Sequence, residues 1–324
     1  MWRRSHFVLA AAVGLVAMSG AVTVDPGLPH CKPASGVSGS IKSVGSDTMN
    51  NLMALWAEGF RKMYPNVQVE IEGKGSGTAP PALINGAATF GPMSRQMKSA
   101  EIDDFEERFG YKPTSVRTAI DMLAVFVHKD NPIAQRGLTL EELDGIFSKS
   151  RKSGHADVIT WGQLGLTGDW ANKPISLYGR NSASGTYGYF KKHALFKGDY
   201  KDSVKEQPGS SAVVQGVGRD KYGIGYSGIG YKTEDVAVVP IAPAGTRDFV
   251  PADPNTVSDY PLARFLYLYV NYKPGHRLEP LRAEFLKYIF SQEGQSAVVK
   301  DGFLPVTVPL ARMDLEKVGL RLEG

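Results

Sequence analysis

Three short stretches of this sequence put hydroxyls, glycines and charge where backbone donors should be free. They are Gly45-Ser46-Asp47-Thr48, Gly75-Ser76-Gly77-Thr78 and Ser182-Ala183-Ser184-Gly185-Thr186, each opening a predicted helix. The first turn of a helix leaves N–H groups unpaired and carries partial positive charge, so it attracts anions. Glycine lets the backbone approach closely, and Ser and Thr add hydroxyl donors. Arg180 stands just before the third stretch, and a guanidinium can grip two oxygens of a tetrahedral anion at once. Two readings stand side by side. The loops share one oxyanion site, or Ser, Thr and Asp are ordinary helix caps. Ser94-Arg95, ending a predicted short strand, is a fourth candidate. Arg95 reads as a structural ion-pair partner before it reads as a ligand.

The elements around these residues follow from periodicity. Leu52, Leu55, Trp56, Phe60 and Met63 fall at helical spacing, and Tyr64-Pro65-Asn66 stops that helix. Val67, Val69 and Ile71 alternate as a strand. "GKGSGTAPPALINGAATFGPMS" then reads as a glycine turn, a short Pro-led helix and a strand. "RTAIDMLAVFVHKDNP" is a buried-looking strand, and Thr139 with Glu142 has capping-box spacing for a new helix. "PISLYGRNSASGTYGYFKKHAL" repeats strand, polar loop and helix, and "YPLARFLYLYVNYKPG" is a long apolar strand. Two final helices and a tail close the chain. This alternation is the grammar of an α/β fold with a mostly parallel sheet.

The chain has 324 residues, is 42% hydrophobic and 22% charged, and is long enough for two modest domains. Arg3 and Arg4, an apolar stretch from Phe7 to Met18, and Ser19-Gly20-Ala21 have the order of a secretory signal peptide over residues 1–21. Its removal lowers the formal charge from +4 to +2, which gives no footprint for nucleic-acid binding. Residues 22–40, rich in Gly, Pro and Ser, read as a flexible tether. Cys31 is the only cysteine, so no internal disulfide is possible, and His30 is bulky where a lipoprotein box wants a small residue.

Enzyme signals are thin. G-x-S-x-G, H-E-x-x-H and Walker patterns are absent, and the six histidines lie far apart, so no metal or cofactor is expected. His128 reads as a strand-end residue and His193 as a helix-face residue. "GIGYSG", Gly223 to Gly228, fits G-x-G-x-x-G but follows a helix and precedes none. It reads as a strand passing close to another backbone.

In "GSDTM", "YPNVQVEIEGKGSGT", "GPMSRQM", "GRNSASGTYGYF" and "GIGYSGIGY", over roughly residues 41 to 305, the sequence resembles the periplasmic phosphate-binding proteins, the substrate-binding subunits of phosphate ABC transporters. The resemblance implies a two-lobed α/β fold that closes on its ligand, with two chain crossings. These fall near Ala119–Leu123 and in "YPLARFLYLYV". Lobe one would comprise 41–120 with 259–324, and lobe two 121–258. It further implies phosphate contacts at Ser46, Asp47 and Thr48, at Ser76 with Gly77, at Ser94, at Arg180, and at Ser184, Gly185 and Thr186. The protein would be a periplasmic or secreted monomer, delivering inorganic phosphate to a membrane permease. The family often carries an aspartate where Ser94 stands and an acid beside the arginine where Ser182 stands; both acids are missing here.

That departure puts weight on Asp47. Phosphate at neutral pH keeps a proton and sulfate does not, so a fixed carboxylate could accept that proton and repel the fully ionised anion. Asp47 could do this from the helix mouth, or it could only cap the helix. A phosphatase-like enzyme on the same scaffold, a surface protein with a secondary phosphate site, and a binder of another tetrahedral oxyanion are the competing readings.

Overall fold

The computed structural model describes residues 22–322. The signal-peptide expectation, residues 1–21, lies outside the described residues. Strand β1 (Gly39–Val44) leads through helix α1 (Asn50–Met63) to β2 (Val67–Glu72), then α2 (Ala79–Ile84), β3 (Phe90–Met93) and α3 (Ser99–Phe109). The long β4 (Thr114–His128) follows, then α4 (Ile133–Arg136), β5 (Leu138–Thr139) and α5 (Leu140–Phe147). Next come β6 (Ser176–Arg180), α6 (Gly185–His193), β7 (Lys205–Gln207), α7 (Ser210–Arg219), β8 (Gly223–Gly228), β9 (Val236–Val238) and β10 (Ile241–Ala242). Strand β11 (Ala263–Val270) and helices α8 (Pro280–Ile289), α9 (Gln292–Lys300) and α10 (Val308–Glu316) complete the chain.

The main sheet runs β2-β1-β3-β11-β4-β8-β6-β7, with β9 also on β4. Strand β4 is its spine. From Thr114 to Met122 it pairs antiparallel with β11, and from Leu123 to Val127 with β8. A polypeptide that changes sheet partner half-way along one strand divides the structure into two lobes. Each has its own apolar core. One gathers Trp56, Phe60, Phe90, Phe285 and Phe290, the other Phe147, Trp161, Phe190 and Tyr226. The parallel pairs β1/β2, β1/β3, β6/β7 and β6/β8 lie on either side of this spine.

Local chemistry sets the elements. In α1, Leu52, Met53, Trp56, Ala57 and Phe60 are buried on one face, and each large apolar side chain so buried contributes about 1.5–3 kcal/mol. Thr139 accepts from the Glu142 N–H at 3.1 Å, and Glu142 accepts from the Thr139 N–H at 3.0 Å, closing the expected capping box of α5. "GIGYSG" is wholly buried strand β8. A Cβ on Gly225 would lie 3.0 Å from the Tyr178 backbone carbonyl of β6, and 2.8 and 2.9 Å from the side chains of Val213 and Val217 of α7, so the close passage is real.

Two expectations need correction. Residues 22–40 are not a free tether: Leu28 and Val37 are buried. The Gln292 N–H donates to the Pro29 carbonyl, the Cys31 N–H to Glu293, and the Val308 N–H to Asp25. A segment stiffened by proline loses little entropy on docking, so two apolar anchors suffice. The expected tail also contains a third terminal helix, α10, with Pro309 in its first turn.

Candidate functional site

The expected loops meet at the crossing between the lobes. Ser46, Thr48, Ser76, Ser94, Arg180, Ser184 and Thr186 are all buried. Thr48 and Thr186, 138 residues apart, bring their hydroxyls within 2.9 Å. The Ser76 hydroxyl accepts from the Ser94 N–H at 3.0 Å and lies 3.3 Å from the Ser94 hydroxyl. Gly185 opens α6 directly against these serines. A Cβ there would sit 2.3 Å from Ser76 Oγ and 2.6 Å from Ser94 Oγ, so no larger residue fits without movement. The lobes are therefore in contact across the site.

Some expected residues have specific duties. The Gly77 N–H donates to the Ala183 carbonyl at 2.9 Å. It clasps the two lobes together and is not a free donor for a ligand. A Cβ on Gly75, at φ 118°, would lie 2.6 Å from that carbonyl oxygen, which explains the glycine. Ser184 accepts from the Tyr187 N–H at 3.3 Å and caps α6. The Ser184 hydroxyl accepts this bond and keeps its own hydrogen to donate.

Arg180 ends β6 with 1% of its surface exposed. Its Nη1 donates to Ser210 Oγ at 2.7 Å, and its Nη2 lies 3.2 Å from Asp47 Oδ2. Its Nε is buried with no protein partner, and so is the Ser46 hydroxyl. An unpaired buried guanidinium nitrogen costs stability unless something else accepts from it. Burial lowers the guanidinium pKa from its usual value, against the opposing pull of Asp47.

Asp47 departs from the cap expectation. It does not cap its own helix; Oδ2 accepts from the Ser210 N–H at 2.8 Å, the first residue of α7 across the cleft. The carboxylate caps a helix of the opposite lobe and pairs with Arg180. It thereby supplies the negative partner of the arginine that Ser182 cannot. The Tyr231 hydroxyl donates to the carbonyls of Asp47 and Thr48 at 3.1 and 3.0 Å. Burial and the Asp47 carboxylate push its pKa up, so it stays a donor.

Arg95 is an ion-pair partner of Glu101 at 2.6 Å, not a member of the site. His128 ends β4 beside Asp130, and His193 stacks on Tyr189 with ring centres 4.2 Å apart.

Sequence reasoning missed Asp121, Ser210 and Arg264. Arg264 Nε and Nη2 donate to Asp121 Oδ2 at 2.9 and 2.7 Å. Signals existed. Arg264 is the single charge of β11, Asp121 interrupts the apolar run of β4 that continues to Val127, and charges are almost never fully buried unless paired. Ser210 follows Gly209 at a helix start, the same signal as the three loops read above.

Residues 32–293 match the PBP superfamily domain. The phosphate-binding protein PstS of Pseudomonas aeruginosa is 54% identical over 312 residues, covering 95% of this chain and 96% of that protein. The phosphate-binding protein PstS of Staphylococcus saprophyticus is 28% identical, covering 80% of this chain and 78% of that one. A Clostridium perfringens substrate-binding protein assigned to phosphate ABC transport, solved with bound phosphate, superposes with a TM-score of 0.70 at 26% identity, over 83% of this chain and 100% of that one. The chain belongs to the phosphate-binding protein family, the substrate-binding subunits of phosphate ABC transporters within the PBP superfamily.

Proposed function

We propose that this protein captures inorganic phosphate between its two lobes and delivers it to the membrane permease of an ABC transporter. The observation that carries the reading is the unpartnered Arg180 Nε, buried where Arg180 and Ser210 of one lobe meet Asp47 of the other; the Ser46 hydroxyl, next to Asp47 in sequence, is likewise buried and unpartnered. A tetrahedral oxyanion supplies the missing acceptors. Arg180 and Ser46 then donate directly, helped by hydroxyls from Thr48, Ser76, Ser94 and Thr186 and by N–H groups at the mouths of α1 and α6. Asp47 accepts the proton that phosphate keeps while holding Arg180 in place. The chain is a substrate-binding protein and not an enzyme. It works as a monomer in the periplasm or outside the cell, and residues 1–21 direct it there.

In this reading residues 41–120 with 259–324 form one lobe, residues 121–258 form the other, and β4 and β11 bend between them. The test is calorimetry of refolded, ligand-free protein against phosphate, arsenate and sulfate. Phosphate and arsenate should bind one per chain and sulfate much more weakly. Absence of phosphate binding overturns the proposal, and equal binding of sulfate overturns the role of Asp47. Small-angle scattering at saturation should show a smaller radius of gyration with phosphate.

A further inference from the structure

Arg264 lies in strand β11 directly opposite Asp121 of β4, at the place where β4 changes sheet partner. Both side chains are buried. With Asp121 Oδ2 holding Nε and Nη2, the rest of the guanidinium reaches both lobes. Nη1 donates to the Ser94 carbonyl at 3.0 Å, and Nη2 to Thr186 Oγ1 at 2.9 Å. Ser94 follows β3 in one lobe, and Thr186 lies in the first turn of α6 in the other. The second oxygen of Asp121 accepts from the Ile229 N–H at 3.1 Å, just after β8. The Tyr189 ring lies 5.2 Å from the guanidinium, within cation–π range.

We propose that Arg264 is the latch of the closed protein, a positioning residue that ties the Ser94 and Thr186 loops together and turns the threonine hydroxyls toward the anion as donors. Arginine donates only, so Thr186 Oγ1 must accept from it. The Thr186 and Thr48 hydroxyls carry two hydrogens between them. One lies in the 2.9 Å bond joining the two oxygens. Neither can point at Arg264, so the other is left for the ligand, whichever threonine carries it. Asp121 neutralises the guanidinium, so the latch adds no net charge to the wall of the site. The open protein loses the span from Ser94 to Thr186, so the latch acts after the anion has arrived. Its loss belongs in the rate of release.

The inference rests on the phosphate reading above. The experiment measures association and release of labelled phosphate, with an unlabelled chase, for wild type, Arg264→Lys, Arg264→Gln, Thr186→Val and the double variants. Removing one partner of a buried charged hydrogen bond acts on the off-rate. Arg264→Gln should therefore release phosphate about 30-fold faster or more, with an on-rate within about threefold of wild type. Arg264→Lys keeps the charge beside Asp121 but cannot span three acceptors, so it should fall between. In the Thr186→Val background either change at position 264 should cost less, because part of its contact is already gone. If Arg264→Gln does not fold, the lysine and valine variants carry the same cycle. Unchanged release in a folded Arg264 variant, a loss confined to the on-rate, or effects that simply add to those of Thr186→Val would each overturn the latch. Failure of the wild type to bind phosphate at all would instead overturn the function beneath it.

Discussion

Two buried arginines stand where the lobes meet, and they are satisfied to different degrees. Arg264, on the crossing strands, has its donors taken by a carboxylate, a carbonyl and a hydroxyl. Arg180, at the mouth of α6, has a serine, a carboxylate at 3.2 Å and a buried Nε with nothing to donate to. In the proposed function that difference separates framework from site. A fully paired buried charge holds protein to protein, whereas the open Nε of Arg180 is what the phosphate reading proposed above relies on. Their acids differ in the same way. Asp121 is fully buried and pairs with its cross-strand neighbour, while Asp47 keeps some exposure and reaches across the cleft.

The sharpest way to break the comparison is at Arg180. Arg180→Lys removes the planar fork, and phosphate binding should weaken by about 2–5 kcal/mol. Calorimetry checks this; unchanged affinity would mean that the open Nε is not a ligand donor. Next in size is Gly185→Ala, whose Cβ would collide with two serine hydroxyls of the opposite lobe. It should cost about 1–3 kcal/mol of phosphate affinity, as overpacking does, and the melting temperature of the ligand-free, open protein should hardly move.

Asp47→Asn tests the acid on the Arg180 side. The amide oxygen can still accept from Ser210, but the negative charge is gone. The sulfate-to-phosphate affinity ratio should rise about tenfold, near 1.4 kcal/mol. A ratio that stays put would reduce Asp47 to a cap and arginine partner.

The smallest effect on phosphate binding lies behind Arg264. Asp301 follows α9, with Oδ2 buried and unpartnered. Burial first, and then the nearby Asp121 carboxylate, push its pKa up to about 7. The folded protein therefore holds this proton more tightly than the unfolded chain does. Stability from this group is full below pH about 4 and is lost as pH rises toward 7. Asp301→Asn should remove that decline and raise stability at neutral pH, as read by urea unfolding at pH 5 and pH 7.5. Equal wild-type and variant pH profiles would show that Asp301 titrates normally.

Much of this protein was legible without coordinates because its signals are local. Helical spacing in α1, the Thr139–Glu142 capping box and the alternation of Val67, Val69 and Ile71 each depend on residues a few positions apart, whose backbone geometry is set by neighbours. The hydroxyl loops were legible for the same reason, since a helix mouth with Gly, Ser and Thr advertises free donors wherever it stands in the fold. The charges of Asp121 and Arg264 were visible as oddities in apolar strands. Their pairing was not, because it depends on the register of two strands 143 residues apart in sequence.

What only the tertiary structure decided is where each donor's partner lies. Asp47 caps a helix 163 residues away instead of its own. Gly77, expected to face the ligand, spends its N–H on the opposite lobe. Residues 22–40 have the composition of a tether yet dock through Leu28 and Val37. A hydrogen bond or a buried contact is decided by distance in space, and a single sequence carries that distance only through the packing of the whole chain.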